Sequence, residues 1–123
     1  MPKPRRQFLS DRLKGFGYAI KGLLLLIKTE HNFQIQLFCA IAVTALGLLV
    51  GLSTTEWILQ FLAIGFVLAA EALNSAIERV ADVITKEPHK EIGKLKDVAA
   101  AAPLIAALIA VIIAMLIYLP KIS

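Results

Sequence analysis

Glu71, Asn74, Ser75 and Glu78 stand at i, i+3, i+4 and i+7 in "EALNSAIERVADVI", so on a helix all four side chains share one stripe. Two carboxylates two turns apart can divide a transfer reaction between them. Glu71, set deeper in the apolar run, is the more desolvated, which suits a general base taking a proton from a weakly acidic alcohol. Glu78, nearer water, suits an ionised ligand for a hard cation such as Mg²⁺. Asn74 between them offers an amide that can orient a phosphate or a carboxylate. The alternative is structural: intramembrane Glu and Asn also join helices, and Glu78 has Arg79 and Lys86 nearby as ion-pair partners.

The medium around the stripe weighs on that choice. The 123 residues are 59% hydrophobic with a mean hydropathy of +0.78, too apolar for a soluble domain of this size. Residues 98–120 carry no charge, and at about 1.5 Å per residue they reach about 34 Å, enough to cross a hydrocarbon core of about 30 Å. Residues 31–55 also lack Asp, Glu, Lys and Arg. A third apolar run, "WILQFLAIGFVLAA", meets Glu71 before it is long enough to cross, so a third span must continue through Glu71, Asn74 and Glu78. An acidic side chain at mid-membrane costs about 2.5–3.5 kcal/mol on insertion scales and marks a functional site by default.

The expected fold is an all-α membrane protein in a single domain over residues 1–123. An N-terminal amphipathic interfacial helix falls within 1–29, and three transmembrane helices fall at 31–55, 57–84 and 96–120. In the interfacial helix, Leu9, Leu13, Phe16, Ile20, Leu23 and Ile27 recur at steps of three and four, while Lys14, Lys21 and Lys28 mark another face. Pro88 and Gly93 in "TKEPHKEIGKLKD" predict a helix end near Thr85 and a new start around 92–96. Pro103 either kinks the last helix or ends its first turns.

Charge distribution sets the expected orientation. Lys3, Arg5, Arg6, Arg12, Lys14, Lys21 and Lys28 precede the first span, and Arg79, Lys86, Lys90, Lys94 and Lys96 lie between the second and third, whereas "STTEW" has no Lys or Arg. The positive-inside rule places the N-terminus and the 79–97 loop in the cytoplasm, so the polar stripe opens toward the compartment that holds nucleotides. No secretory signal peptide is expected. Lys94, Lys96 and Asp97 form a charged entrance to the last span, readable as topology or as phosphate contact.

Several classes are excluded or disfavoured. No P-loop, Gly-rich kinase loop, dinucleotide fingerprint or nucleophile elbow occurs. His31 and His89 lack zinc-ligand spacing, and Cys39 has no partner and reads as a small packing residue. Nucleic acid is an improbable partner, since the basic residues flank spans. Glu30, just before the first span, can complete a carboxylate pair with Glu78 or remain a solvated interface residue.

"EALNSAIERVADVI", the downstream "H", "G" and "KD", and "AAAAPLIA" resemble the signature of the bacterial integral-membrane diacylglycerol kinase family, which includes the undecaprenol kinases. The likeness runs from about Lys14 to the C-terminus, with "GFGYAIKGL" and "EHNF" matching the family's first helix and the acidic residue before its first span. The resemblance implies that Glu71 is the catalytic base and that Glu71 and Ser75 meet the lipid hydroxyl. It implies that Glu30 and Glu78 hold the Mg²⁺ bound to ATP, and that Asn74 and Lys96 contact the phosphates. His89, Gly93 and Asp97 would lie around the nucleotide, with Tyr18 on the surface helix near the base. It further implies a homotrimer with active sites shared between subunits, in the bacterial inner membrane.

The expected activity is transfer of the γ-phosphate of MgATP to a membrane lipid alcohol. "HNFQIQL" is more similar to the undecaprenol kinase branch than to the diacylglycerol one. The rival reading from another class is a small oligomeric transporter or assembly subunit in which Glu71 relays a proton or substrate.

Overall fold

Three short breaks turn this apolar sequence into separate helices. A computed structural model describes residues 4–122; Lys3 of the cationic N-terminal set lies outside the described residues. The order is α1 (Arg5–Thr29), α2 (His31–Val50), α3 (Thr54–Ile84) and α4 (Lys90–Ile122), with no strand among the described residues. The chain is all-α, and α2, α3 and α4 are each long and apolar enough to cross a membrane.

Glu30 makes the first break. Its extended backbone (φ −103°, ψ 108°) ends α1 and starts α2 in a single residue. Gly51 makes the second: it adopts the left-handed conformation (φ 79°) and its N–H caps Gly47 O, a C-terminal arrangement that glycine takes without a Cβ penalty. α2 therefore stops at Val50, short of the 55 expected from composition. Ser53 then caps α3, its hydroxyl accepting from Glu56 N at 3.2 Å while Glu56 Oε1 accepts from Ser53 N at 2.9 Å, a reciprocal capping box.

The third break lies between Ile84 and Lys90. His89 Nδ1 accepts from Ile92 N at 3.4 Å and so satisfies one of the unpaired donors at the start of α4. This cap lets α4 begin at Lys90, ahead of the 92–96 start that Gly93 suggested. Pro103 then lies inside α4 rather than in its first turn, and the helix runs on through it.

α3 packs along α4, α2 leans on α3, and α1 lies against the start of α2. Few apolar side chains are enclosed by the chain itself: Phe33, Val67, Ala81, Ala99 and Ile117 are buried, whereas Phe38, Leu48, Leu49 and Phe66 face outward, as lipid contact requires. Cys39 is likewise exposed on α2 rather than packed inside.

The Ser53 end is held by a polar clamp. The Tyr118 hydroxyl lies 2.6 Å from Gln60 Oε1 and 3.1 Å from Val43 O, joining α4 to α3 and α2. Lys121 Nζ pairs with Glu56 Oε1 at 3.1 Å beside it. Gly47 lets the helices approach there, since a Cβ would sit 2.9 Å from both Leu52 Cδ1 and Trp57 Cη2. The clamp fixes the far ends of the spans and leaves the Glu71 end free to form a cleft.

Candidate active site

The capped start of α3 sets the depth of its polar residues. Glu71 comes 17 residues after Thr54, about 26 Å along the axis, and Glu78 about 36 Å. Against a hydrocarbon core of about 30 Å, this places Glu71 near one edge and Glu78 among the headgroups.

The stripe forms as its spacing required, and the neighbouring helices close over its upper part. Glu71 is 4% exposed, Asn74 4% and Ser75 3%, while Glu78 is half-buried. Asn74 Nδ2 donates to Glu78 Oε1 at 3.4 Å. Asn74 Oδ1 is buried without a hydrogen-bond partner, and an orphaned buried acceptor costs about 1–3 kcal/mol. An atom of that kind, aimed from a polar stripe, is suited to a ligand that supplies a donor or a cation.

Glu71 and Asn74 line a cavity of about 270 Å³ with Asn32, Gln36, Pro103 and Leu104. The side-chain amides of Asn32 and Asn74 flank the Glu71 carboxylate, and the charges of Glu78 and Glu30 bear on it. Asn32 was not singled out from the sequence. The signal was present in "EHNF", where a third polar residue follows Glu30 at the mouth of a span, but only the fold brings it to Glu71. Ser75 faces elsewhere: it lines a groove between α1 and α3 with Gly22, Leu26, Phe33 and Arg79.

Glu30 is engaged by a partner of its own. Arg79 Nη2 donates to Glu30 Oε1 at 2.7 Å and to Thr29 Oγ1 at 3.0 Å. The ion pair considered between Glu78 and Arg79 or Lys86 does not form; Glu78 receives Asn74 instead. Glu30, at the break between α1 and α2, thus stands on a different element from Glu78, which belongs to the α3 stripe. Among the described residues no group of three or more His, Cys, Asp and Glu side chains stands together, so any cation here would be held by a carboxylate pair completed by other ligands.

Asp82 extends the stripe by one more turn, four residues beyond Glu78, and Lys96 Nζ reaches its Oδ1 at 2.6 Å. The spacing of Asp82 continues the i, i+4 pattern in the sequence, but its partner Lys96 is brought to it only by the fold. His89 serves as the α4 cap, and Gly93 and Asp97 are exposed on the first turns of that helix, with open space where a Gly93 Cβ would be. Tyr18 is 68% exposed on α1 with Lys21 Nζ 5.8 Å from its ring centre, and no hydrogen bond among the described residues ties it to the α3 stripe.

A row of amides and carboxylates that runs from a cavity bordered by Pro103 and Leu104 to a charged rim can bring an apolar alcohol and a polyanion together. The sequence pattern of the prokaryotic diacylglycerol kinase family matches residues 17–118. An undecaprenol kinase of Bacillus subtilis is 42% identical over 119 residues, which cover 97% of each chain. A diacylglycerol kinase of Synechocystis is 34% identical over 115 residues, 93% of this chain and 66% of the relative. The diacylglycerol kinase of Escherichia coli K12 is 33% identical over 100 residues, 81% of this chain and 82% of the relative.

Proposed function

The chain belongs to the prokaryotic diacylglycerol kinase family and is an ATP-using lipid kinase of the membrane, and from that premise we propose that its acceptor is undecaprenol and that Glu71 is the base. The observation that carries the base assignment is the burial of Glu71 at the hydrocarbon edge, between two amides and beside the orphaned Asn74 Oδ1. The acceptor follows the Bacillus subtilis relative, which is named an undecaprenol kinase and aligns over nearly the full length of both chains.

In this reading the lipid hydroxyl enters the Glu71 cavity from the apolar side. Glu71 takes its proton as the hydroxyl oxygen bonds to the γ-phosphorus, and the bond from that phosphorus to the β,γ-bridging oxygen breaks, releasing ADP. Asn74 and Lys96 orient the phosphates, and Asp82 holds Lys96 in place. His89, Gly93 and Asp97 border the nucleotide at the start of α4, Tyr18 approaches on α1, and Ser75 guides the lipid along the α1–α3 groove. Rate enhancement rests on positioning and charge stabilisation in a water-poor site.

The donor set fits Mg²⁺: Glu30, Glu78 and the unpartnered Asn74 Oδ1 are all hard oxygens. The ion would neutralise phosphate charge. The Glu71 end would face the cytoplasm, in line with the basic residues around it. A homotrimer with shared sites would cover the apolar groove between α3 and α4, where Ala69, Ala70, Ala102 and Ala106 permit close helix approach.

The test is phosphate transfer from labelled MgATP by the purified protein, with undecaprenol and diacylglycerol offered side by side in mixed micelles. Label on undecaprenol supports the acceptor proposed; label confined to diacylglycerol would move the chain to the other branch.

A further inference from the structure

This inference rests on the reading of Glu30 as a cation ligand. Glu30 occupies the one-residue break between α1 and α2, and its carboxylate already has a positive partner. Arg79 Nη2 is 2.7 Å from Glu30 Oε1 and 3.0 Å from Thr29 Oγ1 at the last residue of α1. Arg79 directly follows Glu78 on α3. One turn of α3 therefore presents one carboxylate of the pair and, on the adjacent face, the guanidinium that occupies the other.

Glu30 and Glu78 both bear electrostatically on Glu71, so a positive charge beside Glu30 offsets negative charge at this end of the stripe. Arg79 supplies it through a charge-assisted bond. The same bond occupies Oε1, one of the two carboxylate oxygens that a hard cation would use, and two positive charges on one carboxylate repel. The side chains of Arg79 and Glu30 are 48% and 25% exposed, and ion pairs that are this accessible to solvent are readily displaced.

We propose that Arg79 and the divalent cation compete for the Glu30 carboxylate. The guanidinium straps α3 to the α1–α2 junction in the metal-free chain, and cation binding across Glu30 and Glu78 displaces it. Arg79 is a positioning residue in this scheme, and it makes fastening of the surface helix depend on whether the cation is present.

The competition is read by titrating the purified full chain in detergent with Mn²⁺, in the absence of nucleotide, and following free aquo-Mn²⁺ by electron paramagnetic resonance. Arg79→Ala is expected to bind Mn²⁺ about two- to fivefold more tightly than the parent, the range an accessible ion pair supports. Glu30→Gln is expected to bind it more weakly. Lys28→Ala, which removes another positive charge two residues from Glu30, should shift the affinity less than Arg79→Ala does. If Arg79→Ala fails to assemble, Arg79→Gln keeps a side chain able to reach Thr29 and carries the same expected sign. Unchanged or weaker binding in the Arg79 variant, or an equal gain in Lys28→Ala, overturns the competition while leaving Glu30 as a ligand. No effect of Glu30→Gln removes the cation from Glu30 and overturns the competition together with the metal reading.

Discussion

Lys96 on α4 reaches Asp82 on α3 across 2.6 Å, one turn beyond Glu78 on the same stripe. The pair is exposed, so its contribution to stability is about 0–1 kcal/mol. Its importance lies in where it holds the ammonium, at the rim where the phosphates of ATP are proposed to lie. Asp82→Asn is expected to leave the thermal midpoint nearly unchanged and to raise KM for ATP several-fold. Lys96→Ala should lower kcat/KM for ATP by about a hundredfold or more, the loss of a charged contact to a transferring phosphoryl group. Steady-state kinetics with ATP varied separates the two effects, and an Asp82 variant with parental KM would show that the pair is decorative.

Glu71→Gln keeps the shape of the side chain and removes its basicity. The expected loss is about 10²–10⁴-fold in kcat, with assembly and thermal midpoint retained. Labelled phosphate transfer alongside size-exclusion chromatography reads both, and full activity in this variant would refute the base assignment.

Asn74 carries a cost that an apolar residue would avoid. Replacing it by Leu removes the orphaned Oδ1, and the stability gain expected from that atom is about 1–3 kcal/mol. The Asn74→Leu protein should unfold at a temperature equal to or above that of the parent while transferring little phosphate. Thermal unfolding in detergent compared with activity on the same sample checks this. A destabilised variant would mean that the amide is structural glue.

The clamp at the Ser53 end makes the opposite prediction. Gly47→Ala drives a Cβ to 2.9 Å from Leu52 and Trp57, and overpacking of this kind costs about 1–3 kcal/mol. Tyr118→Phe removes the hydroxyl that meets Gln60 and Val43 and should cost about 0.6–1.7 kcal/mol, the range for hydrogen bonds between membrane helices. Both variants should lower the thermal midpoint and leave KM for ATP in the surviving folded protein unchanged. A raised KM would show that the clamp communicates with the site.

The amino-acid order by itself determined the all-α membrane fold, because uncharged runs of this length have no other way to satisfy their backbone in lipid. It also determined that Glu71, Asn74 and Glu78 share one face of α3, since helical periodicity fixes which side chains stand together. The family was legible in the same residues. Helix ends were less so: His89 as a cap and the Ser53–Glu56 box are local patterns that moved the starts of α4 and α3 upstream of where composition put them.

Tertiary structure alone decided the partners. Arg79 meets Glu30 across 49 residues and Tyr118 meets Val43 across 75, distances along the chain at which spacing carries no information. Asn32 beside Glu71, and Ser75 turned toward α1, depend on how each helix is rotated about its own axis. That rotation is set by close approaches such as Gly47 under Trp57, and no single helix contains both halves of such a contact.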